Sequence, residues 1–219
     1  MGGGARAAYA RGVTDRALVL VDLQYDFCPG GALAVARGDE TIAVANRVAR
    51  HFDLVVATQD WHPREHGSFA ANHDGRAPYQ VIDLHGLAQV LWPVHCVQGS
   101  RGAEFHDDVD RARVAAVFPK GTDPTVDSYS GFWDNGQRHA TGLGDWLRAR
   151  GVTTVYVLGL ATDYCVKFTA IDAARLGFTT YLIEDGCRAV DLAPGDGERA
   201  IDAMRAAGVI VVDSGQIGT

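Results

Sequence analysis

The chain has 219 residues, 47% hydrophobic and 21% charged, enough to bury a sizeable core without a disulfide or metal staple. Twenty Lys and Arg against twenty-seven Asp and Glu give a net charge of −7; without a basic excess, nucleic acid is excluded as a partner. No apolar run approaches the ~20 residues of a membrane span, which argues against a membrane partner. The opening stretch MGGGARAAYARGVTDR lacks a signal-peptide core, and residues 1–15 read as a mobile leader.

From there, short β-branched runs alternate with amphipathic stretches. Strands are expected at Ala17–Leu23, Leu54–Thr58, Val114–Phe118, Thr154–Gly159, Thr179–Glu184 and Val209–Asp213. Most are continuous apolar runs, as in strands covered on both faces. Helices are expected at Asp39–His51, Gly144–Arg150, Thr162–Leu176 and Gly197–Ala207. Four of the five connections thus have room for a crossover helix. The pattern predicts an α/β fold: a doubly wound, six-stranded parallel sheet with helices on both faces, one domain over 16–219. One connection departs from it. Residues 59–113 are rich in His, Pro, Gly and Trp, and irregular connections of this length tend to be functional. They read as a lobe inserted between strands two and three, with a short helix over Leu84–Leu91.

Open parallel sheets bind ligands beyond the carboxyl ends of their strands. Those ends carry Asp22 on strand one, Asp60 and His62 on strand two, Lys120 on strand three and Cys165 on strand four. Thr162 is the expected N-cap of the third helix, so Cys165 falls in its first turn. The helix dipole and a nearby Lys120 would there favour thiolate. Position alone leaves a second reading open, a small buried hydrophobe. Cys28, Cys96 and Cys187 read as structural; four cysteines make no disulfide framework, which fits a reducing cytoplasm. Asp22 closes an apolar strand, so burial should raise its pKa and suit it to proton transfer with a thiol. Asp60 and His62, two apart on an extended segment, project to one side and suit a divalent metal such as zinc, iron or manganese. His66 and His95 in the same lobe are candidates to complete the set, which makes it a metal-binding lobe. Phe27 and Trp92 are either core aromatics or two walls of a slot for a flat ring.

The segments VDLQYDFCPGGAL, ATQDWHP, HGSF, WPVHCVQG, FPKGT, DSYSGF and LATDYCV occur in this order between about Arg16 and Asp213. Together they resemble the bacterial nicotinamidases, also called pyrazinamidases, within the isochorismatase-like cysteine hydrolases. The resemblance implies that Cys165 is the nucleophile, Asp22 the general base and acid, and Lys120 the cation between them. It implies one divalent ion (Zn, Fe or Mn) on Asp60, His62 and His95, with His66 unsettled because members differ there. It further implies an oxyanion hole of the Ala161 and Cys165 N–H groups, a cis peptide before Ala161, and Phe27 and Trp92 around a pyridine ring. Tyr164 stands where some members have His and receives no role. The implied reaction is nicotinamide plus water to nicotinate and ammonia through a thioester, with pyrazinamide as a second substrate. Another amide or ureido hydrolase of the same group is the nearest rival, and a non-enzymatic module with a structural metal site the next. Oligomeric state is left open.

Overall fold

The computed structural model describes residues 14–218, so all but the last two residues of the expected leader lie outside the described residues. The chain runs β1 (Arg16–Val21), α1 (Glu40–Ala49), β2 (Val55–Asp60), β3 (Val81–Leu84), β4 (Leu87–Val90) and β5 (Val114–Lys120). It continues through α2 (Leu143–Arg148), β6 (Thr154–Leu160), a π turn (Thr162–Val166), α3 (Lys167–Arg175), β7 (Thr179–Arg188), α4 (Asp196–Ala206) and β8 (Ile210–Val212). Six strands form one parallel sheet in the order β5-β2-β1-β6-β7-β8, as expected.

The apolar runs explain the layering. Ala17–Val21 of β1 are buried at every position, so both faces of the sheet are covered there. α1 and α3 both pack on β6 and β7; two helices over the same pair of strands occupy opposite faces. The edge strand β5 instead alternates, with Val117 exposed and Phe118 buried against Trp146. Pro119 is tolerated on β5 because an edge strand leaves one row of donors unpaired.

The chain leaves β1 at the centre, builds outward through β2 and β5, then returns to β6 on the other side of β1. The switch point where ligands collect in such sheets therefore lies between the ends of β1 and β6. The backbones approach closely there: a side chain on Gly159, at φ +133°, would strike the Val21 backbone.

The expected helix over Leu84–Leu91 is a β-hairpin instead. β3 and β4 pair antiparallel, Val81 with Val90 through Leu84 with Leu87. His85 and Gly86 both take positive φ, +52° and +88°, the conformation a two-residue hairpin turn requires. Asp83 Oδ1 accepts the Gly86 N–H at 3.0 Å. This local turn outcompetes the helical spacing of the apolar residues. Among the described residues no helix is long and apolar enough to cross a membrane.

Candidate active site

Asp22 follows β1 at φ +49°, a turn that directs it across the sheet end rather than along the strand. It is fully buried, and Thr58 Oγ1 donates to its Oδ1 at 2.7 Å. Asp60, two residues beyond Thr58 on β2, lies on the same face of that strand and is in register with Lys120 on β5. The buried Gln24 side chain locks the two strand ends together. Its Oε1 accepts the Asp60 N–H at 2.7 Å, and its Nε2 donates to the Asp60 and Ala103 carbonyls at 2.8 Å. The Lys120 ammonium then reaches Asp22 Oδ2 at 2.9 Å, Asp60 Oδ1 at 2.8 Å, Ser128 O at 3.0 Å and Cys165 Sγ at 3.4 Å. Acid, cation and thiol, up to 143 positions apart in sequence, thus meet in one buried cluster.

Cys165 sits differently from expectation. The segment after β6 is a π turn in which the Tyr164 and Val166 N–H groups both donate to the Ala161 carbonyl, each at 3.1 Å. Ala161, not Thr162, stands at the cap. The wider turn follows a cis Leu160–Ala161 peptide. The buried Asp163 accepts the Val190 and Asp191 N–H groups, both at 2.9 Å, and so ties this turn to the loop after β7.

Burial sets the electrostatics. It pushes the Cys165 thiol well above its ordinary value, and the Asp22 and Asp60 charges add to this while Lys120 opposes it. The expected dipole-favoured thiolate is therefore corrected to a resting thiol. Burial likewise raises Asp22, with Lys120 only partly compensating. For Lys120, burial opposes the charge but Asp22 and Asp60 prevail and hold it well above the usual range. Asp60 goes the other way: burial is overcome by His62 and Lys120, and it stays ionised. The cluster accordingly holds one firm cation, one firm anion, and two groups, Asp22 and Cys165, that burial biases toward their neutral forms.

Beside it lie the nitrogen donors. His62 Nε2 is 3.0 Å and His95 Nε2 3.4 Å from Asp60 Oδ2, with all three residues buried. The long connection returns to make this meeting, the His62 N–H donating to Cys96 O at 3.0 Å and the Gln98 N–H to His62 O at 2.8 Å. His62 Nδ1 faces Gly121 O and His95 Nδ1 faces Pro93 O, each at 2.8 Å. Donation of Nδ1–H to a carbonyl leaves Nε2 as a lone-pair donor, the arrangement usual for metal-ligating histidines. Gly121, at φ +63°, is required here because a Cβ would collide with the His62 ring. Burial drives His66 down to about 4, so its ring is neutral, and its buried Nε2 has no hydrogen-bond partner. Oriented imidazoles, an ionised carboxylate and an orphaned buried nitrogen fit a divalent ion.

A cavity opens onto Cys165, Ala161, Asp60 and His95, with Phe27 and Trp92 among its walls. Trp92 Nε1 donates to the Tyr129 hydroxyl at 3.2 Å, and Tyr164 packs edge-on to Trp92 at 4.8 Å between centroids. All the residues singled out from sequence are thus gathered at one place. Sequence reasoning missed Tyr129, Asp127, Leu33 and Val190, which also line the cavity. Tyr129 and Asp127 lay in the noticed segment DSYSGF and Leu33 closed the noticed segment VDLQYDFCPGGAL, none with assigned chemistry; nothing marked Val190.

The Isochorismatase domain family matches residues 16–216 of the chain. The nicotinamidase of Escherichia coli is 54% identical over 197 residues, 88% of this chain and 92% of that protein. Among solved structures, an Acinetobacter baumanii nicotinamidase and pyrazinamidase shares 47% identity at a TM-score of 0.89, covering 92% of this chain and 97% of that one. The yeast nicotinamidase bound to the inhibitor nicotinaldehyde shares 32% at 0.86, over 90% and 99%. The pyrazinamidase of Pyrococcus horikoshii in complex with zinc shares 39% at 0.75, over 91% and 99%. With a sheet, switch point and buried acid–lysine–thiol cluster of this kind, and a family match spanning nearly its whole length, the chain belongs to the isochorismatase family.

Proposed function

We propose that the chain is a metal-dependent nicotinamidase that hydrolyses nicotinamide to nicotinate and ammonia and also accepts pyrazinamide. The observation that carries this reading is the buried Lys120 ammonium, in contact with Asp22 and with Asp60 and Cys165, two residues that line an aromatic-walled cavity together with His95. The activities named for its relatives support it.

Asp22 takes the Cys165 proton as the sulfur attacks the carboxamide carbon. Lys120 remains charged and steadies both carboxylates through the transfer. The N–H groups of Ala161 and Cys165 take up charge on the carbonyl oxygen, each worth about 3–4 kcal/mol when well placed. Asp22 returns the proton to departing ammonia, leaving a thioester on Cys165, then takes a proton from the water that hydrolyses it and passes that proton to the sulfur as nicotinate leaves. Phe27 and Trp92 hold the flat ring and exclude solvent. Asp60, His62 and His95 would hold a divalent ion, which supplies Lewis-acid ligation to a ring nitrogen and so helps orient the ring.

Ammonia release from nicotinamide, measured before and after chelation and again after return of Zn²⁺, Fe²⁺ or Mn²⁺, tests the reading. Activity lost on chelation and restored by metal is the expected result. Faster turnover of a ureido substrate than of nicotinamide would overturn it. Two further outcomes are expected. His62→Ala should bind less metal and raise KM, with metal content read by elemental analysis. The acid limb of kcat/KM should lie above the ordinary carboxylate value of 3.8, because buried Asp22 must be ionised to accept the thiol proton. A limb at or below that value would remove Asp22 from the base role.

A further inference from the structure

Two groups of ligand-type side chains meet at His62. One is Asp60, His62 and His95; the other is His62, His66 and Asp127, again all buried, with ligand atoms within 4.8 Å of one another. His62 Nδ1 is engaged by Gly121 O, so Nε2 is the atom common to both groups. One imidazole nitrogen ligates one ion. The two groups are therefore flanks of a single cation site.

Asp127 is built into this place. Its Oδ1 accepts the Ser128 N–H and its Oδ2 accepts Gln89 Nε2, each at 2.8 Å, and the Gln89 donor itself is buried on β4. These donors fix the carboxylate while leaving each oxygen a further acceptor position. His66, with Ser68 Oγ 2.7 Å from its Nδ1, presents a fully buried Nε2 that no protein group satisfies. A buried polar atom left this way is unfavourable unless a ligand or its water reaches it.

We infer that Asp127, aimed by Gln89 of the hairpin, supports the cation site from the side of His66, where Asp60 and His95 do not reach. This rests on the metal-dependent reading above.

The test is binding of Mn²⁺ and Zn²⁺ alone, by chelator competition on the metal-stripped full chain, together with the rise in Tm on adding metal. Asp127→Asn, which preserves shape, should bind 10–100-fold more weakly, the range typical of partners just outside the ligands. It should keep one ion per chain at saturation, show a smaller metal-induced rise in Tm, and melt without metal near the parent value. His66→Gln should weaken binding likewise. Gln89→Leu, which leaves the carboxylate in place, should do so to a lesser degree and serves if Asp127→Asn does not fold. Affinity of Asp127→Asn within twofold of the parent, or two ions per chain, would overturn the inference. His62→Ala separates the failures: if it loses the metal while Asp127→Asn does not, only the second flank falls, and if neither loses it, the metal site falls with it.

Discussion

Cys165→Ala is expected to lose nicotinamide turnover by about 10⁴-fold or more while retaining its metal. The size follows from removing a covalent nucleophile, which commonly costs 10⁴–10⁶ in kcat because the remaining groups act through it. The site should otherwise survive. Cys165 touches Lys120 at 3.4 Å but is not among the donors around His62, and the change exchanges a buried thiol for a methyl group. Steady-state ammonia release, elemental analysis and mass spectrometry of quenched parent enzyme check it together. The parent should carry a nicotinoyl adduct and the variant none. Turnover by the variant above 1% of the parent's (about a hundredfold loss or less) would end the thioester scheme.

Lys120→Met should be the most disruptive single change for both activity and stability. It leaves Asp22 and Asp60, both fully enclosed, without the ammonium they share. Breaking a buried ion pair from one side costs about 3–5 kcal/mol, and protonation of Asp22 recovers part of that. A loss of about 3 kcal/mol at neutral pH, read by chemical denaturation, is the expected value. The pH dependence has a definite sign. Burial already raises Asp22, and without Lys120 it rises further. A carboxyl whose folded pKa exceeds its unfolded one favours the folded state most at low pH, and that contribution is lost as pH climbs through the folded value. The deficit of Lys120→Met relative to the parent should therefore shrink as pH is lowered toward 4. A deficit independent of pH would contradict the placement of the ammonium between the two carboxylates.

Most of the architecture was legible because the physics was local and repeated. Apolar runs such as Ala17–Val21 permit little besides a strand covered on both faces, and the alternation with helices then fixes a parallel sheet. The rim residues were legible because strand ends are where such sheets place chemistry: Asp22, Asp60, Lys120 and Cys165 all sit there. What escaped depended on contacts rather than on pattern. The hairpin at Val81–Val90 is decided by two residues, His85 and Gly86, whose positive φ values the apolar spacing does not reveal. The π turn at Thr162–Val166 reads in sequence like an ordinary helix start. Burial of Cys165, which reverses the expected thiol chemistry, follows from packing by elements distant in sequence. Tyr129 and Asp127 gain meaning only once Trp92 and Gln89 donate to them.

The Asp163 carboxylate, which accepts both the Val190 and Asp191 amides, has a mechanical consequence. Nucleophile and far wall are riveted into one rigid body, so any breathing that admits a substrate must come from the opposite jaw, where Trp92 follows β4. Deuterium uptake should show this asymmetry: the amides of Val190 and Asp191 exchange as slowly as those of the central strands, while those of β3 and β4 exchange earlier.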